Sequence, residues 1–259
     1  MKPPNSPPDT VANPASEASA RDGKVFTVPE SAQELFARVT QPPTAELPCS
    51  PNVRWQRSRV TRERRWESLG QVGATVWFTG LPGAGKSTIG GAVEERLLAA
   101  GQSAFLLDGD NLRHGLNGDL GFDERARSEN VRRTAHVARL LAESGTIALV
   151  GLVSPYAADR EGAAALHAAD GLDFIEIFVN APLELCEQRD SKGLYARARR
   201  GELRGLTGVD APYEAPTRPD LVLGGWGETV PDQVDRVLEL LAARGLVLSG
   251  TRGRCSPEA

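Results

Sequence analysis

Gly80-Leu81-Pro82-Gly83-Ala84-Gly85-Lys86-Ser87-Thr88 decides the fold of this chain. The stretch fits G-x-x-x-x-G-K-[S/T], a loop whose backbone N–H groups turn inward around phosphate oxygens. An apolar run, Ala74-Thr75-Val76-Trp77-Phe78-Thr79, leads into it, and a helical pattern at 86–100 follows. Strand, glycine loop and helix in that order are the context the motif requires. The glycines permit the tight turn, and the helix N-terminus adds partial positive charge. Lys86 is placed to reach the β- and γ-phosphates of a nucleoside triphosphate, and the Ser87 hydroxyl to ligate Mg²⁺. With glycine at ~7% of residues in an average protein, a chance match in a chain this long is on the order of one per cent. Residues 80–88 therefore predict a nucleotide site; what receives the phosphate is a separate question.

Working outward, apolar strands alternate with helical stretches from residue 72 onward. Strands are expected at 75–79, 103–108, 146–154, 174–180 and 221–223. Helices are expected at 86–100, around 130–144, and at 160–169, 182–189 and 230–244. Gly101 and Gly145 stand where helix C-caps belong. Continuous apolar strands with helices between them imply an α/β fold: the three-layer P-loop NTPase architecture, a central parallel sheet covered by helices on both faces. In such sheets ligands bind beyond the carboxyl ends of the strands, where nearly all the chemistry-bearing residues of this sequence fall.

The flanks read differently. Residues 1–51 hold ten of the eighteen prolines and read as a disordered extension with too little apolar surface to offset its chain entropy. Residues 52–71 form a basic lead-in in which arginines alternate with Trp55 and Trp66; a solvated helix packing its tryptophans on the domain is favoured over an RNA-binding patch. The kinase-like domain spans 72–245, and a frayed tail runs over 246–259. The net charge of −4 over 259 residues gives no global field for nucleic acid. Cys49, Cys186 and Cys255 are too few and too scattered for a disulfide framework or a metal site, which fits a cytoplasmic protein. No signal peptide and no bilayer-spanning run is expected. His114, His136 and His167 read as ordinary surface or packing residues.

Four groups surround the phosphate loop. The second strand ends in Asp108-Gly109-Asp110-Asn111-Leu112-Arg113. One carboxylate beside a Mg²⁺-phosphate site can orient bound water or take the proton of an attacking hydroxyl, and the other can hold substrate. Arg113 offers a planar fork for a phosphate or sulfate. The second group is Asn117–Phe122 followed by Arg127, Asn130, Arg132 and Arg133. Its cations suit a strongly anionic substrate, and equally a charge-balanced helix face. The third is Ser154-Pro155-Tyr156 at a strand end. The fourth, Lys192-Gly193-Leu194-Tyr195 with the arginines up to Arg204, has the composition of a lid that closes over phosphates and excludes water.

Together these blocks resemble the adenylylsulfate kinase family. The matching segments are 80–88, LDGDNLRHG (107–115), 120–122, ENVRR (129–133), 154–156, CEQRDSKGLY (186–195), TGVD (207–210) and PYEAP (212–216). The resemblance implies ATP-dependent phosphorylation of the 3′-hydroxyl of adenosine 5′-phosphosulfate, giving 3′-phosphoadenosine 5′-phosphosulfate. It implies Lys86, Asp108 and Ser154 as catalytic residues, the last treated in some members as a phosphoserine, although in-line transfer between two bound substrates needs only positioning and charge stabilisation. It assigns ATP to Gly80–Thr88 and Mg²⁺ to Ser87. It assigns the substrate to Asp110, Asn111, Arg113, Phe122, Arg127, Asn130, Val153, Ser154, Lys192, Gly205 and Leu206, with the Phe122 ring stacking on adenine. It further implies a homodimer, and residues 1–51 are a candidate tether for a partner such as an ATP sulfurylase. The sequence departs from the pattern at Leu206 and Leu152, where the family usually carries an aromatic, and at His136 and Ala126, where it often carries an acid. Two other readings stand beside this one: a related kinase of a sugar or nucleoside hydroxyl, and a nucleotide-binding regulatory module without turnover.

Overall fold

The computed structural model describes residues 56, 58–224 and 227–247. The 1–51 extension, Trp55 and residues 248–259 lie outside the described residues. Five strands, β1 (Ala74–Thr79), β2 (Ala104–Asp108), β3 (Ile147–Gly151), β4 (Asp173–Val179) and β5 (Leu221–Leu223), form one sheet in the order β2-β3-β1-β4-β5. Every pairing is parallel, with Val76 opposite Leu149 and Ile175. All six residues of β1 and all five of β3 are buried, as strands covered on both faces must be.

The helices are α1 (Arg62–Leu69), α2 (Lys86–Ala99), the single turn α3 (Gly109–Leu112), α4 (Glu124–Ser144), α5 (Ala157–Ala169), α6 (Leu183–Arg189), α7 (Leu194–Arg199) and α8 (Val230–Ala243). Alternation along the strands divides the core in two. Val76 and Phe78 face α2 and α8, where Ile89, Val93, Leu97, Val234, Val237 and Leu241 pack. Trp77 and Val150 point the other way, onto Val131, Ala135 and Ala138 of α4 and Ala163 of α5. The three-layer arrangement follows directly.

Several boundaries differ from those read in the sequence. Helix α4 begins at Glu124, six residues before the expected 130, because Asp123 caps it by accepting from the Ala126 amide. Strand β3 stops at Gly151 instead of running to 154, since Ser154 turns into the left-handed region with φ 39°. The turn α3 and the lid helix α7 were not anticipated. Leu246 and Val247, expected within the frayed tail, are 2% and 5% exposed and belong to the core. Trp66 of α1 is 1% exposed and donates from Nε1 to the Ala142 carbonyl at 3.1 Å, so the helix of the lead-in is part of the packed domain.

Candidate active site

The carboxyl ends of β1, β2 and β3 open into a cavity of about 980 Å³. Its floor is the 80–88 loop. Gly83 has φ 75° and Gly85 φ 109°, values that side chains rarely adopt, and a Cβ on Gly83 would stand 3.0 Å from the Cys186 carbonyl oxygen. Glycine is thus demanded by both conformation and space. Gly85 also serves as the N-cap of α2 and supplies no capping side chain, which leaves the first amides of the helix for an anion.

Lys86 is buried and donates from Nζ to the carbonyls of Gly80 at 2.9 Å and Leu81 at 2.8 Å. Burial pushes its ammonium down to about 8, partly offset by the Asp108 carboxylate among its neighbours. Ser87 Oγ donates to Asp108 Oδ2 at 2.5 Å. Asp108 Oδ1 accepts from the amides of Asp110 and Asn111 at 3.0 and 3.3 Å and so caps the turn α3. One carboxylate thereby fixes the loop after β2 and presents its second oxygen to the phosphate loop. A hydroxyl and a carboxylate oxygen side by side are hard donors of the kind Mg²⁺ takes when phosphates complete its shell.

The opposite wall is built on arginines. Arg113 donates to the carbonyls of Leu120 and Gly121 and lies over the Phe122 ring at 4.2 Å, leaving that ring 65% exposed. Arg127, expected to contact substrate, lines the cavity and directs its guanidinium to the protein. It donates to Phe122 O at 2.7 Å, Thr207 Oγ1 at 2.7 Å and Gly205 O at 2.6 Å. Those three bonds tie the Phe122 wall to the segment carrying Leu206, so the two sides of the expected adenine slot hang on one side chain. Leu206 lines the cavity while buried at 6% exposure. Asn130 Oδ1 accepts from Asn117 Nδ2 at 2.9 Å inside α4 and its preceding loop. Leu152, Val153 and Ser154 form the back wall, where the Val153 carbonyl accepts from Thr79 Oγ1 at 2.8 Å.

Ser154, expected to be catalytic, is held within the protein. It is 3% exposed, and its hydroxyl accepts from Trp77 Nε1 at 3.1 Å and pairs with Thr79 Oγ1 at 3.0 Å. No carboxylate or imidazole of the described residues contacts that hydroxyl, so nothing there activates it as a nucleophile.

The lid is held from both ends. Lys192 pairs with Asp110 across the cavity mouth. Asp190 caps α7 by accepting from the amides of Tyr195 and Ala196, and Tyr195 donates to the Pro82 carbonyl at 2.8 Å. Arg189, which the reading of the residues had not singled out, donates to the Ala84 carbonyl at 3.1 Å and reaches over the phosphate loop. Thr207 and Gln233 also line the cavity without having been anticipated. Arg189 sits in the quoted 186–195 block and was open to detection there; Gln233 lies far along the chain, with no local motif to mark it.

His167 is a packing residue, as expected. It is fully buried between Thr75 Oγ1 and the Ala163 carbonyl, and burial lowers its pKa.

A glycine loop on β1, a carboxylate at the end of β2 and an arginine-built pocket beneath a lid define the class: a P-loop kinase of a small anionic substrate. The adenylylsulphate kinase family model matches residues 72–224. The chain is 49% identical over 196 residues to the adenylyl-sulfate kinase of Aeromonas hydrophila subsp. hydrophila, covering 76% of this chain and 98% of that one. It is 50% identical over 192 residues to the bifunctional enzyme CysN/CysC of Mycobacterium tuberculosis, covering 74% of this chain and 30% of that one. Among solved structures, the Mycobacterium tuberculosis APS kinase CysC in complex with AMPPNP and APS is 52% identical, with a TM-score of 0.65, over 66% of this chain and 99% of that one. The chain belongs to the adenylylsulphate kinase family.

Proposed function

We propose that the cavity holds the triphosphate of ATP on residues 80–88 and adenylyl sulfate between Phe122 and Leu206, with the ribose 3′-hydroxyl directed at Asp108. Membership of the family at about half identity makes the reaction the ATP-dependent conversion of adenylyl sulfate to its 3′-phosphate. The observation that carries the assignment of roles is the Ser87–Asp108 contact of 2.5 Å, which joins the phosphate loop to the carboxylate at the end of β2.

The residues then divide the work. Lys86 leaves the carbonyls of Gly80 and Leu81 for the β- and γ-phosphates and stabilises charge on the transferring group. Asp108 orients the 3′-hydroxyl and accepts its proton. Mg²⁺, held by Ser87 with Asp108 nearby, neutralises charge on the phosphates when bound. Lys192 exchanges Asp110 for substrate as the lid closes, and closure keeps water from the phosphoryl group. Asp110, Asn111 and Arg113 bind the substrate's polar groups. Transfer is direct, because the buried Ser154 hydroxyl is engaged with Trp77 and Thr79.

A homodimer, and association with an ATP sulfurylase that supplies the substrate, extend this reading. The likeness to one part of a bifunctional enzyme supports the second. Among the described residues no helix is long and apolar enough to cross a membrane, and a cytoplasmic setting suits the buried free thiol of Cys186.

The test is ADP release at matched ATP with adenylyl sulfate, nucleosides and sugars as acceptors. Turnover with adenylyl sulfate far above the others supports the reading; comparable turnover with a sugar or nucleoside overturns it.

A further inference from the structure

Beneath the exit of β3, next to the cleft, buried polar groups converge on Arg160. This residue lies in the first turn of α5 and is 3% exposed. Its guanidinium donates from Nη1 to the Ser154 carbonyl, from Nη2 to the Glu214 carbonyl and from Nε to Glu176 Oε1, each at 2.7 Å. It also stands over the Tyr213 ring at 5.9 Å. Three separate stretches of chain therefore meet on one side chain: the exit of β3, the middle of β4, and residues 212–216.

That last stretch, Pro212-Tyr213-Glu214-Ala215-Pro216, has no part in the chemistry above. It is fastened to the chain that follows Ser154. The Glu214 amide donates to the Pro155 carbonyl at 2.8 Å, and Glu214 Oε2 accepts from the Ala157 amide at 2.7 Å. The Tyr213 hydroxyl meets Thr79 Oγ1 at 3.0 Å, and its ring stacks on Phe178 at 5.9 Å.

What these contacts hold is strained. Among the described residues Ser154 is the only non-glycine with φ in the left-handed range, at 39°. A serine persists there only where its surroundings over-determine it, and such residues cluster at ligand sites. Ser154 and Val153 line the cavity.

We infer that Arg160 is a positioning residue for adenylyl sulfate. Together with residues 212–216 it locks Ser154 in the left-handed region and so sets the Val153–Ser154 wall against which the substrate rests. The inference builds on the function proposed above. The rigid guanidinium fork spreads its donors to three acceptors from different stretches of chain, which the compact ammonium of lysine reaches less well, so lysine is a partial substitute. The phosphate loop is anchored separately, through Lys86, Tyr195 and Arg189. ATP binding is therefore much less dependent on Arg160.

The test is steady-state kinetics on the full chain, varying each substrate at saturating levels of the other, well below the melting temperature measured for each variant. Arg160→Gln is expected to raise KM for adenylyl sulfate by about tenfold or more while KM for ATP stays within about twofold. Arg160→Lys should fall between Arg160→Gln and wild type. Glu176→Gln keeps both carbonyl contacts and should leave both KM values within about twofold of wild type. An unchanged KM for adenylyl sulfate in Arg160→Gln, an equal rise in the two KM values, or an equal effect of Glu176→Gln would overturn the inference. Should Arg160→Gln fail to fold, Arg160→Lys against Glu176→Gln decides the matter by the same split. Wild-type protein that does not turn over adenylyl sulfate would sink the functional reading and this inference together; normal wild-type turnover with an indifferent Arg160 sinks the inference alone.

Discussion

Lys86 and Leu206 show what single side chains contribute. Lys86 lies in a site where burial lowers its pKa to about 8 against an ordinary value near 10.4. Bound phosphates raise it again, so the free protein releases a proton near pH 8 that the complex retains. Nucleotide affinity is then full below that pH and falls as pH rises through it, by about tenfold per unit until the bound-state pKa is reached. Calorimetric titration of ATP from pH 7 to 9.5 reads this directly; a flat profile would mean that Lys86 stays charged throughout. Leu206 faces the cavity where a ring would close the slot opposite Phe122. Leu206→Phe should lower KM for adenylyl sulfate by up to about tenfold, from a stacking gain of roughly 0.5–1.5 kcal/mol. An unchanged or higher KM would place the adenine elsewhere.

Among the elements, α1 tests where the folded unit begins. Only Trp66 of its eight residues is buried, and the indole also donates to the Ala142 carbonyl at the end of α4. Trp66→Ala should destabilise the protein by about 3–5 kcal/mol, read by denaturant unfolding. A loss under about 1 kcal/mol would make α1 an ornament of the domain. The elements also show what the sequence could and could not reveal. The strands were legible because β1, β3 and β4 are apolar runs, and α2 because its glycine loop announces it. The start of α4 was misplaced by six residues because Glu124 to Ser128 carry a single apolar residue, the buried Ala126, so periodicity is weak there; the Asp123 cap was the signal available. The end of β3 depended on Ser154, whose carbonyl accepts from Arg160 six residues on, a side chain held in turn by the Glu214 carbonyl 54 residues farther along. Arg127 was read as a substrate contact, but two of the three targets of its guanidinium lie about 80 residues away and belong to tertiary structure.

For the whole molecule, the parallel sheet brings the ends of β1, β2 and β3 to one edge, and there the phosphate loop, Asp108 and Ser154 meet around one cavity. The described residues that line the cavity all fall between Pro82 and Gln233. Deleting residues 1–51 should leave kcat and both KM values within about twofold of the full chain, whereas deletion through residue 71 removes Trp66 and should carry the stability loss argued for α1. A collapse of activity on the shorter deletion would give the extension a catalytic part. The central claim is that Asp108 serves the transfer itself. Asparagine retains an oxygen to cap α3 but lacks the charge that takes a proton. The decisive measurement is kcat of Asp108→Asn with adenylyl sulfate and ATP both saturating: a fall of about 10²–10⁴-fold is expected, and turnover close to wild type would contradict the account.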